Sequence, residues 1–176
     1  MFSKLFKQRI FIILAVLGGL VAGLPMVVRS QSLPGLTIFG GPRTENQLNF
    51  RLDFGGKSSG WDRYRLRIPS KKMKLAVSQF AITYPTYYDG KFDIKNVEIV
   101  YKDKSLPIQE VRWDKDNFTL EIFPHEPVPA GGDVEIILSN VKNPDFGGMY
   151  YFNCQILTPG DAPLLRYLGT WVLAIE

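Results

Sequence analysis

Apolar side chains recur at every second position along most of this chain, and a helix of period 3.6 cannot gather such residues on one face. Leu48, Phe50, Leu52 and Phe54 alternate with Asn49, Arg51 and Asp53. Tyr64, Leu66 and Ile68 alternate with Arg63, Arg65 and Arg67, and Tyr150, Phe152, Cys154 and Ile156 share one parity. A weaker alternation over 76–83 contains Val77, Phe80 and Ile82, and Val134, Ile136 and Leu138 follow the turn at 129–132. Residues 102–105 read as a hairpin turn between strands at 97–101 and 106–113, and 114–117 as a second turn before 118–123. The unbroken apolar run 171–175 suits a central strand. Roughly nine short strands separated by Gly, Pro, Asn and Asp clusters predict an all-β fold, an antiparallel sandwich or barrel. The one helical turn to consider is 161–168, with Asp161 as cap and Pro163 in its first turn, and an ordered loop suits it better.

The amino terminus obeys a different rule. Lys4, Lys7 and Arg9 precede an uncharged apolar run over 10–28, Pro25 breaks it, and Val28, Arg29 and Ser30 follow. This is the layout of a signal peptide for the general secretory route, cut between Ser30 and Gln31. The competing reading is an uncleaved membrane anchor, because 19 helical residues span about 28 Å. The three glycines Gly18, Gly19 and Gly23 favour cleavage. The expected organisation is therefore a leader over 1–30, a loosely held lead-in over 31–46, and one β-sandwich domain over 47–176.

The leader also accounts for the charge. It holds Lys4, Lys7, Arg9 and Arg29 and no acid; without these four the 21 basic residues fall to 17, against 17 acids. A neutral mature chain does not favour nucleic acid, whatever the overall +4 suggests. The remaining basicity is local. Eight basic residues face two acids between Arg51 and Lys74, while twelve acids face seven bases between Asp89 and Asp145. Arg63, Arg65 and Arg67 project from one strand face, with Lys71, Lys72 and Lys74 beyond. They form a candidate surface for an anionic partner or an ordinary solvated face balanced by neighbouring acids.

Chemistry is harder to find. His125 is the only histidine and Cys154 the only cysteine, so neither a zinc set nor an internal disulfide can form. Cys154 falls on an apolar parity and reads as a core thiol. No nucleophile elbow and no phosphate-cradling glycine loop occurs. Asp114, Asp116 and Asn117, or Asp89 and Asp93 around Gly90, offer oxygens for calcium, but lack the register of a calcium loop and suit tight turns. Tyr84, Tyr87 and Tyr88, beside Asp89 and Asp93, crowd a turn-rich stretch. They would serve as a sugar-stacking platform or protein contact if exposed and coplanar, or as a plug at one end of the sandwich if not. No cofactor is implied.

Several segments together resemble a known family. They are residues 74–80 (KLAVSQF), 89–93 (DGKFD), 128–131 (VPAG), 138–144 (LSNVKNP), 147–152 (GGMYYF) and 169–171 (GTW). The chain resembles a family of small exported cyanobacterial proteins without an established function, over 36–176. The resemblance implies a signal peptide, an immunoglobulin-like β-sandwich, and the periplasm, cell surface or thylakoid lumen. The stretch 129–144 is also similar to the late strands of bacterial immunoglobulin-like modules. The expected function is a non-enzymatic module that binds a protein or is structural in the envelope or lumen, with envelope polysaccharide as the other partner class. A membrane enters only through an uncleaved leader, and an enzyme is the remote alternative.

Overall fold

The computed structural model describes residues 41–160 and 164–176. The leader, the cut between Ser30 and Gln31, most of the lead-in and the first residues of the proposed turn at 161–168 lie outside them. Among the described residues ten strands follow a short 3₁₀ turn at Thr44–Asn46. They are β1 Phe50–Leu52, β2 Trp61–Ile68, β3 Gln79–Thr83, β4 Val97–Tyr101, β5 Lys104–Leu106, β6 Ile108–Asp114, β7 Thr119–Pro124, β8 Val134–Lys142, β9 Gly148–Leu157 and β10 Arg166–Ile175. Two five-stranded sheets, ordered β1-β2-β8-β4-β5 and β10-β9-β3-β7-β6, are antiparallel throughout.

Alternation fixes the core. Tyr64, Leu66 and Ile68 of β2, Ile136 and Leu138 of β8, and Ile99 of β4 meet Phe80, Ile82, Leu120, Ile122, Phe152, Cys154, Trp171 and Leu173 from the other sheet. Burying each such side chain contributes on the order of 1.5–3 kcal/mol against leaving it in water. Cys154 is fully buried, and burial raises its thiol pKa far above the ordinary value, which leaves it inert as a nucleophile in the folded chain.

Three details depart from the sequence reading. The strand expected over 106–113 is two strands in different sheets: β5 pairs with β4, β6 pairs with β7, and the exposed Pro107 between them marks the crossing. The turn of the β4–β5 hairpin is the pair Lys102 and Asp103, at φ 47° and 61°. The run 171–175 belongs to an edge strand, β10, not a central one. Only its inner parity, Trp171, Leu173 and Ile175, is buried, while Val172 is half-buried and Ala174 exposed. Its free edge is covered by the chain ahead of β1: Leu48 N–H donates to Thr170 O at 2.9 Å, and Gln47 forms a parallel bridge with Thr170. That cover needs Gly169, where a Cβ would lie 2.7 Å from Asn46 O.

Candidate functional site

Strand polarity brings three loops to one end of the sandwich. The β1–β2 loop (53–60), the β3–β4 loop (84–96) and the β8–β9 loop (143–147) all lie where β2, β4 and β9 begin and β1, β3 and β8 end. They are tied together. Ser59 Oγ donates to Asp145 Oδ1 at 2.7 Å, Asp145 N–H donates to Asp89 Oδ1 at 3.2 Å, and Lys142 Nζ donates to Ser59 O. Asp62, buried at the start of β2, anchors the first loop. One of its oxygens accepts from Phe54 N–H at 2.9 Å and Arg63 N–H at 2.7 Å, and the other from Gly56 N–H at 2.7 Å.

The tyrosine stretch divides between inside and outside. Tyr84 and Tyr88 are buried, and only Tyr87 is exposed. The rings of Tyr84 and Tyr88 stand at 63° to each other, so an exposed coplanar platform of three tyrosines is not what the chain builds. The physical reason is the apolar pit at this end. Tyr88 stacks on Phe92 at 5.5 Å and meets Phe152 edge-on at 5.0 Å, while Tyr84 packs against Phe92 and Phe118. Their hydroxyls still find partners: Trp113 Nε1 donates to Tyr84 Oη at 2.7 Å, and the Tyr88 and Tyr64 hydroxyls lie 3.3 Å apart. Tyr64 Oη in turn donates to the buried Asn143 Oδ1 at 2.6 Å. Gly90 keeps an ordinary φ and is needed for space instead, because a Cβ there would lie 2.4 Å from the Tyr88 ring.

Burial raises the phenol pKa values of Tyr64, Tyr84, Tyr88 and Tyr150 above their ordinary value. Unfolding frees these phenols to ionise near pH 10, so their contribution to stability is full below about pH 10 and is lost as pH rises beyond it. An alkaline titration should therefore show tyrosinate absorbance from these four rings appearing together with loss of the β circular-dichroism signal. Smooth ionisation of all eight tyrosines in a still-folded chain would contradict their burial.

The loop end gathers exposed apolar side chains. Among the described residues, every exposed aromatic of the exposed large hydrophobics lies here: Phe54 (62% exposed), Trp61 (65%), Tyr87 (61%) and Phe146 (76%), joined by Met149 (59%) and Ile94. Tyr87 Oη donates to Met149 O at 3.3 Å, and Tyr150 Oη to Phe146 O at 2.8 Å. The exposed tips of Tyr87, Met149 and Phe146 are thus linked through the Tyr150 ring, 5.6 Å from that of Tyr87. The other exposed apolar residues, Leu75, Leu164 and Leu165, belong to the opposite end.

Beside this end lies a groove of about 540 Å³, between Trp61 on the outer face of β2 and the loop segment 91–95. A bulge in β8 shapes it. Tyr64 pairs with Leu138 but Asp62 with Val141, so β8 carries one extra residue, and Asn140 takes a left-handed φ of 55°. Asn140 then reaches Asp93, whose Oδ2 accepts from Asn96 Nδ2 at 2.6 Å and Asn140 Nδ2 at 3.3 Å, while Oδ1 accepts from Lys95 N–H at 3.1 Å. These bonds, that from Asn96 first, hold the Asp93 carboxyl below the usual carboxylate range. Trp61 was missed by sequence reasoning, although it shares the outward parity of Arg63, Arg65 and Arg67, where an aromatic has no core to join.

The arginine row does project outward from β2, and it is matched by Asp53, just past β1, and by Glu135 on β8. Arg65 Nε lies 2.9 Å from Asp53 Oδ2 and its Nη1 3.1 Å from Glu135 Oε2. Arg67 Nε lies 2.8 Å from Glu135 Oε1, Arg51 Nε 3.1 Å from Asp53 Oδ1, and Arg63 Nε donates to Ser139 Oγ. Two acids serving four guanidiniums make this face an ion-pair network with modest residual positive charge.

The other candidate residues have structural employment. Asp114 closes its hairpin by accepting from the N–H groups of Asp116 and Asn117 and from Asn117 Nδ2. The Asn117 bonds, side chain first, also lower its pKa. Asp89 and Asp93 hold different loops, as described. Among the described residues no three His, Cys, Asp or Glu side chains gather as a metal site would require. His125 is exposed beyond β7. A second groove, of about 410 Å³, is lined by Asp103, Asp133 and Glu135, but Glu135 is held by two arginines and Asp133 Oδ1 accepts Ser70 N–H at 2.7 Å.

Among solved structures the chain is similar to the bacterial hydrophobin BslA, at 14% identity and a TM-score of 0.49, covering 74% of this chain and 97% of that one. It is also similar to the collagen-binding domain of a Staphylococcus aureus adhesin, at 10% identity and TM-score 0.43, covering 73% and 96%. A third is an uncharacterised Nocardia farcinica protein with an immunoglobulin-like fold, at 9% identity and TM-score 0.41, covering 73% and 97%. No curated protein sequence matches the chain. Residues 36–175 match the model of the family described as "Protein of unknown function (DUF2808)", and the chain belongs to that family.

Proposed function

We propose that this chain is an exported, non-enzymatic binding module of the cell envelope or thylakoid lumen, and that it grips a partner protein with its loop end. The observation that carries the reading is the concentration of Phe54, Tyr87, Phe146 and Met149 as exposed tips at that end. Aromatic residues and methionine are the types that supply most binding energy in protein interfaces. They stand on a rigid base, because the pit of Tyr84, Tyr88, Phe92 and Phe152 packs beneath them, so little order is lost on binding. Export is supported by the charged start and apolar run of the leader.

The test is a photo-crosslinking side chain placed at Phe146 in intact cells, against the same group at Asp103 in the β4–β5 turn of the opposite end. A discrete protein adduct is expected at 146 and none at 103, and Tyr87→Ser with Met149→Ser should remove it. Equal adducts at both positions, or none at 146, would sink the proposal.

A further inference from the structure

The groove beside Trp61 has a chemistry that the apolar tips lack. Lys91 and Lys95 line it, and Lys142, which donates to Ser59 O, adjoins the Trp61 ring, against the single carboxylate of Asp93. Neither Lys91 nor Lys95 forms an ion pair among the described residues, in contrast to the paired arginines Arg65 and Arg67 of β2. Lys142 Nζ lies 5.7 Å from the centre of the Trp61 ring. Trp61 itself is 65% exposed, although nothing in the fold requires an indole on the outer face of β2. Phe92, buried, and Ile94, exposed, add apolar lining.

We propose that this groove is a binding site for a carboxylated sugar unit of an acidic polysaccharide. A pyranose ring presents an apolar face of C–H groups that packs flat on an indole, as apolar groups pack on aromatic faces generally. Its carboxylate is then met by Lys91, Lys95 or Lys142 through charge-assisted bonds. Its hydroxyls are what distinguish it from other anions. Asp93 is acceptor-only when ionised and Asn140 offers a side-chain amide, so the groove asks for donors and acceptors beside the negative charge. An acidic peptide would answer the lysines, but its carboxylates bring no hydroxyl to donate to Asp93 and no pyranose face to pack on Trp61. The volume of about 540 Å³ is of the size that takes small ligands. This site goes beyond the protein-binding reading, and the two surfaces can be tested apart.

The experiment is calorimetric titration of the purified full-length protein with a hexamer of uronic acid, a neutral glucose hexamer, and hexaglutamate. Saturable binding of the uronate hexamer is expected, weakening as salt screens the lysines. Trp61→Ala should cost about tenfold in affinity while Trp61→Phe retains most of it, since a ring remains to pack on. Lys91→Glu combined with Lys95→Glu should abolish binding. Emission provides a second readout: Trp171 is buried and Trp113 half-buried, so a ligand-induced blue shift reports Trp61. Binding of the glucose hexamer as tight as that of the uronate would remove the lysines from the site. Hexaglutamate binding as tightly would make the groove a general anion or acidic-protein surface and overturn the sugar assignment, and no uronate binding at millimolar concentration would end it. Tyr87→Ser with Met149→Ser lies outside the groove and should leave uronate affinity unchanged while removing the protein adduct at 146, so failure of one reading does not carry the other with it.

Discussion

Tyr88→Ala is expected to lower the unfolding free energy by about 4 kcal/mol, the usual size for emptying an aromatic site in a core. The ring is 4% exposed and touches Tyr84, Phe92, Tyr150 and Phe152, which cannot all collapse into the space it leaves. A domain of this size is typically stable by about 5–15 kcal/mol, so the change would consume a large share of that margin. Tyr88→Phe keeps the ring and gives up only the long 3.3 Å contact with Tyr64, and should cost less than about 1 kcal/mol. Urea unfolding of the pair separates the two roles the stretch was given. A surface tyrosine that stacks on ligand would lose binding in Tyr88→Ala and keep most of it in Tyr88→Phe, with the unfolding midpoint unmoved in both; a plug loses stability in the first and almost nothing in the second.

The second large effect is expected at Asp62. Removing its carboxylate with Asp62→Ala strands three main-chain N–H groups, that of Gly56 at a buried place and those of Phe54 and Arg63 at part-buried ones. The expected cost is about 3 kcal/mol, because a buried donor left without an acceptor loses its full hydration. Asp62→Asn should fall between, as its amide keeps one acceptor oxygen and turns a donor toward one of the three N–H groups. The loop held by Asp62 also bonds the end of the chain: Glu176 N–H donates to Gly56 O at 2.8 Å and Ser58 N–H to Glu176 O at 2.6 Å. Hydrogen exchange should therefore quicken at residues 54–58 and at 176 together in Asp62→Ala. Quickening confined to one of them would show that the carboxylate does not organise the loop.

Much of the fold was legible because sheets convert parity into burial. The alternation in β2 and β9 placed Tyr64, Leu66, Phe152 and Cys154 correctly, and the Asp114 turn was readable from its Asp and Asn residues. Parity says nothing about which sheet a strand joins, so Pro107 was passed over and two strands were read as one. Nor does it distinguish a central strand from an edge strand whose edge another segment covers, which is why β10 was misplaced. The site was less legible. The direction of a loop side chain has no period, and tyrosines crowding a turn can point either way; here Tyr84 and Tyr88 fill an apolar pit and Tyr87 does not. Trp61 was within reach, since its parity matched the three arginines rather than Tyr64.

The bulge in β8 makes the groove a matter of phase. Val134, Ile136 and Leu138 face the core on even numbers, and Val141 faces it on an odd one, so the strand changes frame between Leu138 and Val141. Deleting Asn140 would restore the count, leaving Val141 inward and Lys142 outward in a regular alternation, and would take away the amide that holds Asp93. The groove is thus encoded partly in chain length, by one residue more than a regular strand needs. A change of side chain can weaken such a site gradually, but the loss of this one residue removes the bulge that shapes it while the core keeps its frame.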